Sequence, residues 1–159
     1  MITLVAVTII LLFGFVVFFG APYLPTLKKT QDTALDILSL KPGQTLLALG
    51  CGDGRVMREA AKRGLKVVGY EINPLLVIIS KLTTRKYKNQ VKVVWGSFWS
   101  VDWPKHDGIY VFLLDKYMSR LDQKIKQQSK KGVRVASNSF KIPDKKFVLE
   151  KSGVYLYIY

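Results

Sequence analysis

Thr45-Leu-Leu-Ala-Leu-Gly-Cys-Gly-Asp-Gly-Arg55, followed by Lys66-Val-Val-Gly-Tyr-Glu-Ile-Asn-Pro74, decides the fold. An apolar run enters a glycine-rich turn, a short helical stretch follows, and a second apolar run ends in an acid. This order predicts a βαβ unit with a nucleoside-binding layout. Gly50, Gly52 and Gly54 lack a Cβ, so the backbone there can turn tightly and approach a ligand closely. Glu71 stands at the end of the second predicted strand, seventeen residues after Gly54. A carboxylate at that place can accept both hydroxyls of a ribose.

The glycine spacing is Gly-x-Gly-x-Gly, not the Gly-x-Gly-x-x-Gly of dinucleotide enzymes. It favours S-adenosylmethionine, which has no pyrophosphate to cradle, over NAD. The residues expected to hold it begin with Leu49, Gly50, Cys51, Gly52, Asp53 and Gly54 of the turn. Glu71 and Ile72 follow at the end of the second strand.

The first 27 residues differ in kind from the rest. They carry no charged side chain, and Ile2 to Phe19 is apolar except for two threonines and a glycine. About 20 apolar residues suffice to cross a hydrocarbon core about 30 Å thick. Residues 1–24 are therefore expected to form a transmembrane anchor and residues 25–159 a single catalytic domain. A cleaved signal peptide fits less well, because the start is uncharged and the apolar run is long, although Gly20-Ala21 resembles a cleavage site. Lys28 and Lys29 follow at once and predict a cytoplasmic domain on a single-pass chain. A prokaryotic inner membrane is favoured, with the mitochondrial inner membrane as the alternative.

All 25 Lys and Arg and all 11 Asp and Glu lie in residues 28–159, so that stretch carries the whole net charge of +14. Such a charge calls for an anionic neighbour. Acidic lipid headgroups beside an anchor are the simpler expectation, and nucleic acid is the less favoured one. Lys81, Arg85, Lys86 and Lys88 crowd one predicted helix end. The single cysteine, Cys51, excludes an internal disulfide and a cysteine-based zinc cluster. Its place in the glycine turn suits packing better than nucleophilic attack. His106, the only histidine, is expected to be a surface loop residue with no role. No metal constellation is expected.

Punctuation residues give the remaining elements. Helices are predicted over 30–40, 55–63, 74–87 and 116–130. Gly64 should cap the second in a left-handed conformation, Asn73 should cap the third with Pro74 at its first position, and Asp115 should cap the fourth. Strands are predicted over 45–49, 66–70, 91–95, 108–114 and 134–138. Residues 147–150 and 154–159 should form a hairpin. Strands alternating with helices imply an α/β fold with a parallel sheet.

The chain resembles the class I methyltransferases over roughly residues 30–159. A narrower likeness runs through Tyr23-Leu-Pro-Thr26, Leu49-Gly-Cys-Gly-Asp-Gly-Arg55, Gly69-Tyr-Glu-Ile-Asn-Pro-Leu-Leu76, Gly96-Ser-Phe-Trp99 and Arg134-Val-Ala-Ser-Asn-Ser-Phe140. Together these look like the membrane-anchored lysine methyltransferases that modify the ADP/ATP translocase and the c subunit of ATP synthase. The resemblance implies a Rossmann-like sheet of seven strands closed by a C-terminal antiparallel hairpin, with S-adenosylmethionine as cofactor. It implies an adenine site at Ser97 and Phe98. It also implies a substrate lysine on a membrane protein. Relatives usually have an acid two residues before the first glycine, where this chain has Ala48. A cofactor-binding scaffold without catalysis is thus one alternative reading, and an RNA methyltransferase is the other. Candidate catalytic groups are Tyr23 and Thr26 before the first helix, and Asp115 and Tyr117 after the fourth strand. The last two stand where open α/β sheets bind ligands.

Overall fold

A computed structural model describes residues 26–159, with residues 1, 3 and 7. Apart from those three positions, the anchor expected over residues 1–24 lies outside the described residues, as does Tyr23. Among the described residues no helix is long and apolar enough to cross a membrane.

Seven strands form one mixed sheet: β1 (Thr45–Leu49), β2 (Lys66–Glu71), β3 (Val91–Trp95), β4 (Gly108–Val111), β5 (Arg134–Asn138), β6 (Leu149–Lys151) and β7 (Val154–Ile158). Their order across the sheet is β3-β2-β1-β4-β5-β7-β6. The five strands from β3 to β5 run parallel, while β7 is antiparallel to both its neighbours. The expected α/β sheet with a closing hairpin is therefore present. The hairpin turns at Ser152 and Gly153, both with positive φ (53° and 76°), which matches the right-handed strand twist.

The helices are α1 (Lys28–Leu38), α2 (Arg55–Lys62), α3 (Pro74–Thr84) and α4 (Met118–Gln128). Leu35, Leu38, Leu46, Val56, Met57, Ala60 and Val67 fill the core on one face, between the sheet and helices α1 and α2. Helix α3 packs on β2, β3 and α2. Only α4 lies over the other face among the described residues, where Leu47, Ile109, Leu121, Ile125 and Val135 are buried with Phe98 and Trp103 of the β3–β4 loop. Burying each such aliphatic side chain stabilises the fold by about 1.5–3 kcal/mol before entropy is charged against it.

Several boundaries differ from the sequence reading. Helix α1 ends at Leu38, because Ser39 adopts a left-handed conformation and returns its N–H to the carbonyls of Leu35 and Asp36. Leu40 instead lies over Gly108, where a Cβ would come within 2.7 Å of it. Strand β4 stops at Val111, the last residue with a partner on β1. Asp115 does not cap α4. It opens a short 3₁₀ turn (Asp115–Tyr117), and α4 starts at Met118 without a side-chain cap. Asn73 does cap α3, its side chain accepting from the N–H groups of Leu75 and Leu76 with Pro74 next in line.

Candidate active site

The C-terminal ends of β1, β2 and β4 meet the glycine turn. Gly50, Gly52 and Gly54 all have positive φ (73°, 57° and 82°), which a residue with a Cβ reaches only with strain. Two of these positions show different needs. A Cβ on Gly54 would come 2.6 Å from Ser80 Oγ of α3, so this glycine lets the helix pack down. A Cβ on Gly50 would meet nothing within 4 Å, so this one leaves open space above the turn.

Glu71 is buried and its carboxylate is fixed by backbone. Gly52 N–H donates to Oε2 at 2.9 Å, and Asn73 N–H donates to Oε1 at 2.9 Å. One hydrogen bond per oxygen leaves lone pairs for further donors. Cys51 N–H donates to the Tyr70 carbonyl at 2.9 Å, which ties the turn to β2. Burial, with the nearby Glu71 charge second, pushes the Cys51 thiol up to about 12, so it stays protonated and packs as the sequence suggests. Asp53 is held by Arg55 in an ion pair of 2.7 Å.

Ile72 borders the same end, its carbonyl accepting from Trp95 Nε1 at 3.1 Å. Ser97 Oγ accepts from Trp99 N–H at 3.3 Å. Phe98 is buried against Trp99, with ring centroids 4.5 Å apart. Leu49 lies wholly in the core beneath the turn.

Thr26 belongs to this assembly through contacts that the sequence does not suggest. Its hydroxyl shares a hydrogen bond of 2.9 Å with the Tyr110 hydroxyl. Its carbonyl accepts from Gln31 Nε2 at 2.6 Å and from Arg55 Nη1 at 3.2 Å. Tyr110 is also bonded by the Asn138 side chain, and burial raises its own pKa. Tyr110 and Asn138 thus join the ends of β4 and β5 to the segment that leads into α1. Asn138 ends β5 directly after Ser137, and both are buried at that strand end. Ala48 lies between Gly69 and Tyr110 in register, and only 1% of it is exposed. This position, where the family resemblance leads one to expect an acid, is a packed core position.

Asp115 is exposed, its carbonyl accepts from the Met118 N–H, and its carboxylate makes no hydrogen bond or ion pair among the described residues. Tyr117 beside it is half-buried, its ring 6.3 Å from that of Trp99, with Lys116 Nζ 4.9 Å above it. These two candidates stand on the loop side of the site and are not joined to Thr26. His106 is not a surface residue. It is buried, with Nδ1 2.8 Å from the Pro104 carbonyl and Nε2 2.9 Å from Ser129 Oγ. Since a carbonyl only accepts, Nδ1 carries the proton and Nε2 accepts from Ser129. Burial lowers its pKa and keeps the ring neutral.

This geometry fits S-adenosylmethionine. The anchored Glu71 carboxylate suits a ribose diol, and the open side of Gly50 admits a ligand against the backbone. A family described as the ANTKMT methyltransferase domain matches residues 48–148. The human lysine N-methyltransferase of the ATP synthase c subunit is 28% identical over 124 residues, covering 77% of this chain and 53% of that protein. The chain thus spans about half the length of that relative. A protein-lysine N-methyltransferase of Saccharolobus islandicus (strain REY15A) is 32% identical over 125 residues, covering 76% of this chain and 78% of that one. A solved RNA methyltransferase from Salinibacter ruber, in complex with S-adenosyl-L-homocysteine, superposes with a TM-score of 0.79 at 25% identity, covering 85% of this chain and 93% of that one. The chain belongs to the ANTKMT methyltransferase domain family, within the class I S-adenosylmethionine-dependent methyltransferases.

Proposed function

We propose that the protein transfers the methyl group of S-adenosylmethionine to a lysine side chain of a membrane protein. Residues 1–24 would hold the domain on the cytoplasmic side of the bilayer. The observation that carries the methyl-transfer reading is the Glu71 carboxylate, pinned by the Gly52 and Asn73 N–H groups beside the open side of Gly50. The lysine reading is supported by the names of the two curated relatives. The membrane reading is supported by the uncharged first 27 residues.

The bound cofactor supplies a methyl on a sulfonium, already a good leaving group. The chain must hold a neutral amine in line with it, a positioning task worth several kcal/mol. Glu71 would accept the ribose hydroxyls. Thr26, Tyr110 and Asn138 would keep the lead-in segment fixed beside the turn. A lysine arrives protonated, and Asp115, exposed after β4, would attract its ammonium. Leu114 and Tyr117 would then offer an apolar wall where desolvation favours loss of the proton to water.

The Salinibacter structure and the +14 charge favour a second reading, methyl transfer to RNA. Labelling native membranes and total RNA with tritiated S-adenosylmethionine separates the two. Methyllysine in a membrane protein, absent with Glu71→Ala, is expected. Labelled RNA would establish the second reading. Binding of S-adenosylhomocysteine with no labelling of either would identify a non-catalytic scaffold.

A further inference from the structure

Helix α3 buries Leu76 and Val77 in its first turns and then turns the hydroxyls of Ser80 and Thr84 inward, where both are buried. Ser80 must be small because it lies over Gly54, and the neighbouring Thr83 donates to the Asp53 carbonyl at 2.7 Å. Outward positions of the same helix also hold large apolar residues. Leu75, Ile78 and Leu82 are 42%, 56% and 59% exposed. Their spacing of three and then four residues puts them in one stripe. Trp95 ends edge strand β3 at the same side of the sheet and is 67% exposed, with its indole N–H already given to the Ile72 carbonyl. Among the described residues nothing in the packing calls for this stripe.

The charge around it is one-sided. From Ile72 to Val101 there is no acidic residue, while Lys81, Arg85, Lys86, Lys88 and Lys92 all fall in that span and are exposed. Two copies of this chain meeting through α3 would oppose those cations to one another. An anionic, apolar-backed layer complements both parts at once: aliphatic side chains enter the boundary between headgroups and acyl chains, and cations meet the phosphates.

We propose that the outer face of α3, with Trp95, lies on the surface of a bilayer rich in anionic lipid. The contact is independent of what the site methylates. Because α3 starts directly after Glu71, the stripe would lay the sheet along the membrane with the cofactor end opening sideways. Substrate segments would then be met as they emerge from the headgroup layer.

The test uses the full chain carrying Ile78→Cys, labelled with a polarity-sensitive maleimide and reconstituted into vesicles. Cys51 is buried with a thiol pushed up to about 12, so it stays unlabelled. Phosphatidylcholine vesicles with and without phosphatidylglycerol are compared, with brominated lipid as quencher. A blue-shifted, quenchable probe is expected only where phosphatidylglycerol is present. The combined K81E, R85E and K86E variant should weaken that preference by at least about tenfold. A label on Lys146→Cys, at the other sheet edge, should stay in water. A probe in water on both vesicles overturns the proposal. So does a probe already shielded without lipid, with concentration-dependent shielding pointing to a second copy and concentration-independent shielding to the chain's own segment. A probe shielded on native membranes but not on lipid alone would assign the face to an acidic protein instead, and overturns it too.

Discussion

The glycine turn after β1 and the loop after β4 flank the same end of the sheet, yet they are built on opposite principles. The turn is closed by backbone: three positive-φ glycines, a carboxylate held by two N–H groups, and a helix packed down to Ser80 Oγ. The loop presents the Asp115 carboxylate to solvent with no partner among the described residues, and Tyr117 half-buried beside Trp99. One side is preorganised for a ligand of fixed shape. The other offers an open rim, as would suit the proposed protein substrate.

That contrast can be broken at several points. The largest effect is expected from Gly54→Ala, which combines a strained φ with a Cβ 2.6 Å from Ser80 Oγ. It should cost about 2–4 kcal/mol in urea denaturation. A variant as stable as the parent would show that the turn is not held by α3. Next comes Glu71→Ala. Loss of hydrogen bonds to a charged acceptor, at about 1.5–3 kcal/mol, should weaken S-adenosylhomocysteine at least tenfold by calorimetry. Unchanged affinity would remove Glu71 from the ribose.

A smaller change is expected from Tyr110→Phe, which removes the hydroxyl shared with Thr26. About 1 kcal/mol should be lost, and a double-mutant cycle with Thr26→Val should show that the two losses do not add. Additive losses would mean that the bond seen at 2.9 Å contributes nothing. Asp115→Ala should do least. An exposed charge pair is worth about 0.2–1 kcal/mol, so KM for a lysine substrate should rise by no more than about fivefold, with cofactor affinity unchanged. A collapse of kcat instead would make the rim as preorganised as the turn.

The same contrast explains what can be read from the sequence. The turn, the place of Glu71 at the end of β2, the Asn73-Pro74 start of α3 and the terminal hairpin are written in residues whose backbone demands are local, and these elements are present as expected. The same local logic reads Cys51 as packing. Thr26 stands out in the sequence, but its partners do not, because Tyr110 lies 84 positions away and no local pattern joins them. Asp115 has the composition of a cap, yet the chain tightens into a 3₁₀ turn there. His106 looks like a loop residue because its neighbours are Lys105 and Asp107. Its burial depends on Ser129, 23 positions later. Local chemistry announces a turn or a cap, and long-range pairing stays silent until the sheet is assembled.

The bond between Thr26 and Tyr110 also bears on the birth of the chain. Thr26 leaves the ribosome long before its partner Tyr110 on β4 exists, and Arg55 and Gln31 are available to hold its carbonyl in the interval. Strand β1, the middle one of the five parallel strands, must likewise wait for β4 to gain its second neighbour. A nascent chain stalled before Tyr110 would therefore keep a βαβ half with an unpinned N-terminal lead. Closing the two into one domain then carries the loop-closure entropy of the 84 positions between Thr26 and Tyr110.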